Sequence, residues 1–185
     1  MMKIKIYVSN LAKYVTGREN GKWLQLPMDT EKLKVALDDI IGFDASGNTM
    51  EHIILDYDAP FNVNEYENIL TLNETVKELS DTRFDNEELS IFFKVGDSRE
   101  ETINKIIDDE YTIIDVNDYA KDWNCSESEK AGLILHELNL ITAFTTPVPE
   151  DLVDYVDWEK VFDCECINCG WIEVTTKNTT YLVRG

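Results

Sequence analysis

The sequence reads as an α+β protein of three small modules. Strands of alternating apolar and polar residues stand at both ends of the chain, helical periodicity fills its middle, and capping signatures mark where helices begin. No internal repeat, low-complexity tract or flexible linker separates these stretches, so the modules abut. Their bounds are 1–62 for an α+β module, 63–109 for a helical module and 110–185 for a second α+β module ending in a hairpin.

In the first module, Ile4, Ile6 and Val8 alternate with Lys3, Lys5 and Tyr7, the period-two pattern of a half-buried strand. Asn20-Gly21 is a turn dipeptide, and KWLQLP after it reads as a second strand, stopped by Pro27, that pairs antiparallel with the first. Asp29 caps a helix with Leu33, Ala36, Leu37, Ile40 and Ile41 at helical spacing, and Gly42 ends it. A polar loop, DASGN, leads to a third strand from His52 to Tyr57, and Pro60 marks the boundary that follows.

The pattern turns helical from Asn64. Ile69, Leu72, Val76 and Leu79 make one seam, and Leu89, Phe92 and Phe93 make another behind the capping-box pair Asp85 and Glu88, closed by Gly96. Ser98 and Glu101 open a third helix with Ile103, Ile106 and Ile107 inward. Beyond it, Tyr111 to Asp115 is strand-like, Ser126 and Glu129 cap a helix carrying Leu133, Ile134, Leu138 and Ile141, and WIEVTT and TYLVR around Lys177-Asn178 form the terminal hairpin.

With 185 residues and 43% hydrophobic content, the chain can bury a core despite a net charge of −20. The charge is uneven. Residues 1 to 34 hold seven Lys/Arg and three Asp/Glu, whereas residues 35 to 185 hold ten and thirty-four, net −24. Such a surplus repels nucleic acid and anionic membrane and selects a basic partner. Halophilic adaptation also makes acidic surfaces but gives no reason for the basic first segment. MMKIKIYVSN lacks the apolar core of a signal peptide, and no run approaches a membrane span, so a cytoplasmic protein is expected.

Catalytic and metal chemistry find little support. Cys164, Cys166 and Cys169 have some metal-ligand character, with Cys125 or His136 available to complete a site, but only one Cys-x-x-Cys is present and no second pair. Reduced thiols are the simpler reading. His136-Glu137 begins like a zinc-protease helix, but Leu140 stands where the second histidine belongs. His52 lies in an apolar strand and reads as structural. No phosphate loop or nucleophile motif is present, so no enzyme activity, metal or cofactor is expected. Asn73, Asn124 and Asn178 begin glycosylation sequons, read as chance in a chain without a secretion signal.

The stretch PVPEDLVDYVDWEKVF, Pro147 to Phe162, carries the clearest electrostatic signal. As one helix opened by Pro149, it puts Leu152, Tyr155, Val156 and Phe162 near one face and Glu150, Asp154 and Asp157 on another, one carboxylate about every 5 Å. A DNA strand carries about one charge per 3.4 Å. Acidic residues also suit a helix N-terminus and a solvated face, which is the plainer account of Glu150 and Asp151. Tyr155 and Trp158 interleave with these acids; core packing explains such aromatics, and so does an interface, which used self-complementarily would give a dimer.

Three stretches together resemble the ArdA-type antirestriction proteins of mobile genetic elements: IYVSNLAKYVTGRENGKWLQLPMD from Ile6 to Asp29, ILDYDAPFNVNEYENILTLNETV from Ile54 to Val76, and PVPEDLVDYVDWEKVF. The resemblance implies an elongated three-module DNA mimic, typically a homodimer through its last module. Such a protein occupies the DNA-binding groove of the methyltransferase core of type I restriction-modification enzymes and protects an incoming plasmid or conjugative transposon. The contact set is then Glu150, Asp151, Asp154, Asp157 and Glu159. On charge density alone, Glu74, Glu78, Glu87, Glu88, Asp108, Asp109, Glu110, Asp115, Asp118 and Asp122 follow. Tyr155 and Trp158 are the interface candidates. The net −24 after residue 34 matches the phosphates of roughly 12 base pairs. An acidic adaptor for another basic, nucleic-acid-binding protein is the alternative.

Overall fold

The computed structural model describes residues 2–18, 21–43, 47, 50–120, 123–144, 146–177 and 179–185. Asn20, most of the DASGN loop, Asp122 and Asn178 lie outside the described residues. The chain divides into two compact units, Met1–Asp109 and Glu110–Gly185.

In the first unit, β1 (Ile4–Asn10) is the middle strand of an antiparallel sheet, with β2 (Lys22–Leu26) on one side and β3 (His52–Asp58) on the other. The period-two pattern holds: Ile4, Ile6 and Val8 are buried with Leu24 and Leu26, while Lys5 faces out and Tyr7 stacks on its cross-strand partner Trp23 at 5.4 Å. Between Tyr7 and Val8 the pairing with β3 slips, since Tyr7 faces Asp56 and Val8 faces Ile54. Leu55 is the extra residue of this bulge; Ile53 and Ile54, in regular register opposite Ser9 and Val8, are buried on both faces of the sheet.

Asn10 then caps a short helix, α1 (Leu11–Val15), by accepting the Lys13 amide at 2.9 Å, and its side-chain amide donates to the Ile41 carbonyl. Helix α2 (Thr30–Ile41) begins at Asp29, which accepts the Lys32 amide, and ends at Gly42 with φ of 75°. Helix α3 (Ile69–Ser80) starts later than the helical pattern, because Asn68 caps the amides of Leu70 and Thr71. Helix α4 (Asn86–Val95) has the full reciprocal box of Asp85 and Glu88, and α5 (Arg99–Ile107) is capped by Ser98. Leu72, Val76, Leu79, Leu89, Phe92 and Ile106 bury the inner faces of these three helices.

Polar clamps fix α3 against the segments before it. Asn73, 1% exposed, accepts the Met28 amide at 2.9 Å and donates to the Met28 carbonyl at 3.0 Å, and Ser80 bonds the Met2 carbonyl. A glycan could not reach Asn73. His52 is indeed structural, its Nε2 lying 2.9 Å from the Glu67 carbonyl oxygen. Arg99 forks onto both Glu67 oxygens at 2.6 and 2.7 Å and stacks over Phe61.

In the second unit, β6 (Thr180–Arg184) is the middle strand, with β4 (Thr112–Asp115) and β5 (Ile172–Thr175) antiparallel on either side. Helices α6 (Val116–Ala120), α7 (Glu127–Glu137, capped by Ser126) and α8 (Trp158–Cys169) complete it. Their core gathers Ile114, Val116, Ala131, Ile134, Leu135, Phe162, Trp171 and Leu182.

One expected element is different. The stretch from Pro149 to Phe162 is not a single helix: Glu150–Tyr155 is a 3-10 helix, Val156 is extended, and α8 starts afresh at Trp158. The reason is local. Asp157 turns its carboxylate onto the Lys160 amide at 3.2 Å, taking the capping position that a continuous helix would deny it. The apolar seam expected there dissolves, since Leu152 and Tyr155 are exposed while Phe162 is buried.

Candidate partner-binding surface

The break reorders the acidic stretch. In a 3-10 helix residues three apart eclipse and each residue rises about 2 Å, so Asp151 and Asp154, not Glu150 and Asp154, share a face, about 6 Å apart. Glu150, Asp151, Asp154 and Glu159 are exposed, and none has an ion pair among the described residues. Asp157 is exposed too but meets Lys160 at 2.6 Å. The hydrogen bond from Lys160 holds the Asp157 carboxyl below its usual range, and Asp157 in turn raises the Lys160 ammonium.

Two buried contacts hold this stretch in place. Trp158, 3% exposed, donates its indole N–H to the Val153 carbonyl at 2.9 Å, tying α8 back to the 3-10 helix, and its ring packs on His136 and Phe144. Tyr155 is 85% exposed, so the two aromatics occupy opposite environments. Glu165, on the buried face of α8, accepts the amides of Thr142 and Ala143, both at 2.7 Å, and pins the loop that leads into the acidic stretch. Burial pushes its carboxyl up, but hydrogen bonds from Ala143, Cys169 and Thr142 outweigh this and hold it below the usual value.

The remaining predicted carboxylates fall in both units. Glu74 accepts the Thr30 hydroxyl at 3.2 Å; Glu78 and Glu87 are exposed; Glu88 is half-buried in its capping box. Asp108 caps α5, Asp109 pairs with Arg83 at 2.7 Å, and Glu110 is exposed. Asp115 is half-buried, accepting the Thr179 hydroxyl at 2.6 Å and the Asn117 amide at 2.8 Å, so it serves the start of α6 and the hairpin beside it. Asp118 is exposed, and Asp122 lies outside the described residues. One feature has no sequence signal: Glu173 on β5 and Glu127 on α7 are close enough that Glu127, after burial, raises the Glu173 carboxyl. Only the fold brings those like charges together.

Among the described residues no group of three His, Cys, Asp or Glu side chains could hold a metal ion. Cys164, Cys166 and Cys169 lie along the last turns of α8. Burial and then neighbouring carboxylates push the Cys166 thiol up, and burial does the same at Cys125, which disfavours the thiolate that metal binding or attack requires.

Each unit carries a net charge of −10. Fold and surface together define an α+β protein whose polar chemistry is an excess of exposed carboxylates. The chain belongs to the ArdA antirestriction protein family, whose profile matches residues 6–170. No match is found among curated proteins. No helix among the described residues is long and apolar enough to cross a membrane.

Proposed function

We propose that this protein is a non-enzymatic DNA mimic that occupies the DNA-binding groove of the methyltransferase core of type I restriction-modification enzymes, in the cytoplasm, and so protects incoming mobile DNA. The observation that carries this is the stretch from Glu150 to Glu159, where five carboxylates are exposed and, among the described residues, the one cation paired with any of them is Lys160. A basic groove built to neutralise phosphates gains its affinity by releasing counterions, and a rigid display of carboxylates draws on the same source. Trp158 ties the display to α8, and Glu165 ties the loop ahead of it to the same helix, which lowers the ordering cost of binding.

The partition into three modules and a homodimer through the last of them belong to the same proposal. Tyr155, Leu152 and Ile167, at 85%, 49% and 82% exposure in the second unit, are apolar side chains that such an interface would bury.

Competition tests the reading. A type I methyltransferase bound to labelled duplex DNA is titrated with the protein at low and moderate salt. Displacement near stoichiometry that weakens as salt rises is expected. No displacement at about tenfold excess, with two unrelated type I enzymes, would transfer support to an acidic adaptor for another basic protein.

A further inference from the structure

Helices α3 and α5 end at a shared groove of about 410 Å³, lined by Glu78, Asp81, Arg83, Phe84, Ile107 and Asp109. Its apolar floor is Phe84 and Ile107, and its rim is acidic. Asp81 is the C-cap of α3, and Asp109 directly follows the C-cap of α5 in the left-handed conformation, φ of 57°. Helix C-termini are already the negative ends of their dipoles, so these carboxylates deepen the potential instead of offsetting it. A negative rim over an aromatic floor selects a guanidinium, which stacks on a ring and forks onto carboxylates; a compact, strongly hydrated ammonium fits less well.

The chain itself displays the geometry. Arg83 donates its Nε–H to Asp109 at 2.7 Å, and its guanidinium carbon lies 4.3 Å from the centre of the Phe84 ring. Both partners of that ion pair are about 60% exposed, so it is held weakly enough to exchange.

We infer that this groove is a subsite for one arginine side chain of a basic partner, with Arg83 as the intramolecular occupant that yields to it. The inference rests on the mimic reading for the partner's identity but not for its own chemistry. The tripeptide Gly-Arg-Gly, titrated into the isotope-labelled full chain and followed by NMR, should shift the resonances of Thr82, Phe84 and Ile107. Gly-Lys-Gly should bind about threefold more weakly or worse, the worth of one cation–π contact. Arg83→Gln should tighten the arginine peptide by a similar factor by removing the competitor, Asp81→Asn should weaken it, and Asp38→Asn on α2 should change nothing. Equal shifts from both peptides, or an unchanged affinity in Arg83→Gln, would overturn the subsite. Peptide binding without displacement of a methyltransferase from DNA would remove the proposed partner and leave the subsite; displacement without any peptide effect would do the reverse.

Discussion

Gly132 of α7 lies directly against the backbone of Trp158: a Cβ at Gly132 would sit 2.2 Å from the Trp158 carbonyl oxygen and 2.9 Å from its carbonyl carbon. Glycine is there for closeness of approach. It lets α7 and α8 come together where the acidic stretch ends, and backbone atoms cannot rotate aside as a side chain would. Gly132→Ala should therefore destabilise the protein despite its better helix propensity, by about 1–3 kcal/mol of overpacking. A lower urea midpoint checks this; a midpoint at or above the parent's would mean that the helices separate freely.

Glu165 should make stability fall in acid. Its folded-state carboxyl lies below the ordinary 4.5, so its stabilisation is present above that value and is lost as the pH falls through the folded-state value. Glu165→Gln should cost about 1 kcal/mol at neutral pH, through loss of a charge-assisted acceptor, and flatten the acid limb. Urea midpoints of both proteins between pH 7 and 3 would show it. Parallel curves would assign the acid sensitivity elsewhere.

Asn73→Ala should cost about 1–3 kcal/mol, because it leaves the Met28 amide and carbonyl without their partner. Hydrogen exchange at Met28 should rise in step. Unchanged exchange would show that water replaces the asparagine there without loss.

Single neutralisations among Glu150, Asp151, Asp154 and Glu159 should each weaken displacement of a methyltransferase from DNA by no more than roughly fivefold, the range of one exposed charge pair. All four replaced by amides should weaken it much further and lower its salt dependence. A single substitution as damaging as the quadruple would point to one specific contact instead of a field.

Signals confined to a few residues were legible in the sequence. The caps at Asp29, Asp85, Ser98 and Ser126 and the alternation of Ile4, Ile6 and Val8 stand where their chemistry puts them. Helices α1 and α6, five residues each, are too short to show a period. The break at Val156 had a signal, since aspartate is a preferred cap and Asp157 stands just before Trp158, but the apolar spacing from Leu152 to Phe162 imitates one continuous helix. In such a helix Tyr155 and Trp158 would share a face, whereas the break buries one and exposes the other. Nothing local reveals the Asn73 clamp, the slip between Tyr7 and Val8, or the influence of Glu127 on Glu173; each depends on residues distant in sequence.

The strand order of the second unit bears on how the chain is made. Among the described residues β4 and β5 never touch as strands; each pairs with β6, which is translated after both. A ribosome must therefore pass Thr180 before any ladder of that sheet can close, while the described strands of the first unit are complete at Asp58. A nonsense codon or a protease cut just ahead of Thr180 removes β6 and leaves two strands with open edges and no neighbour. Quality control would meet such a chain with the strand edges of its second unit exposed.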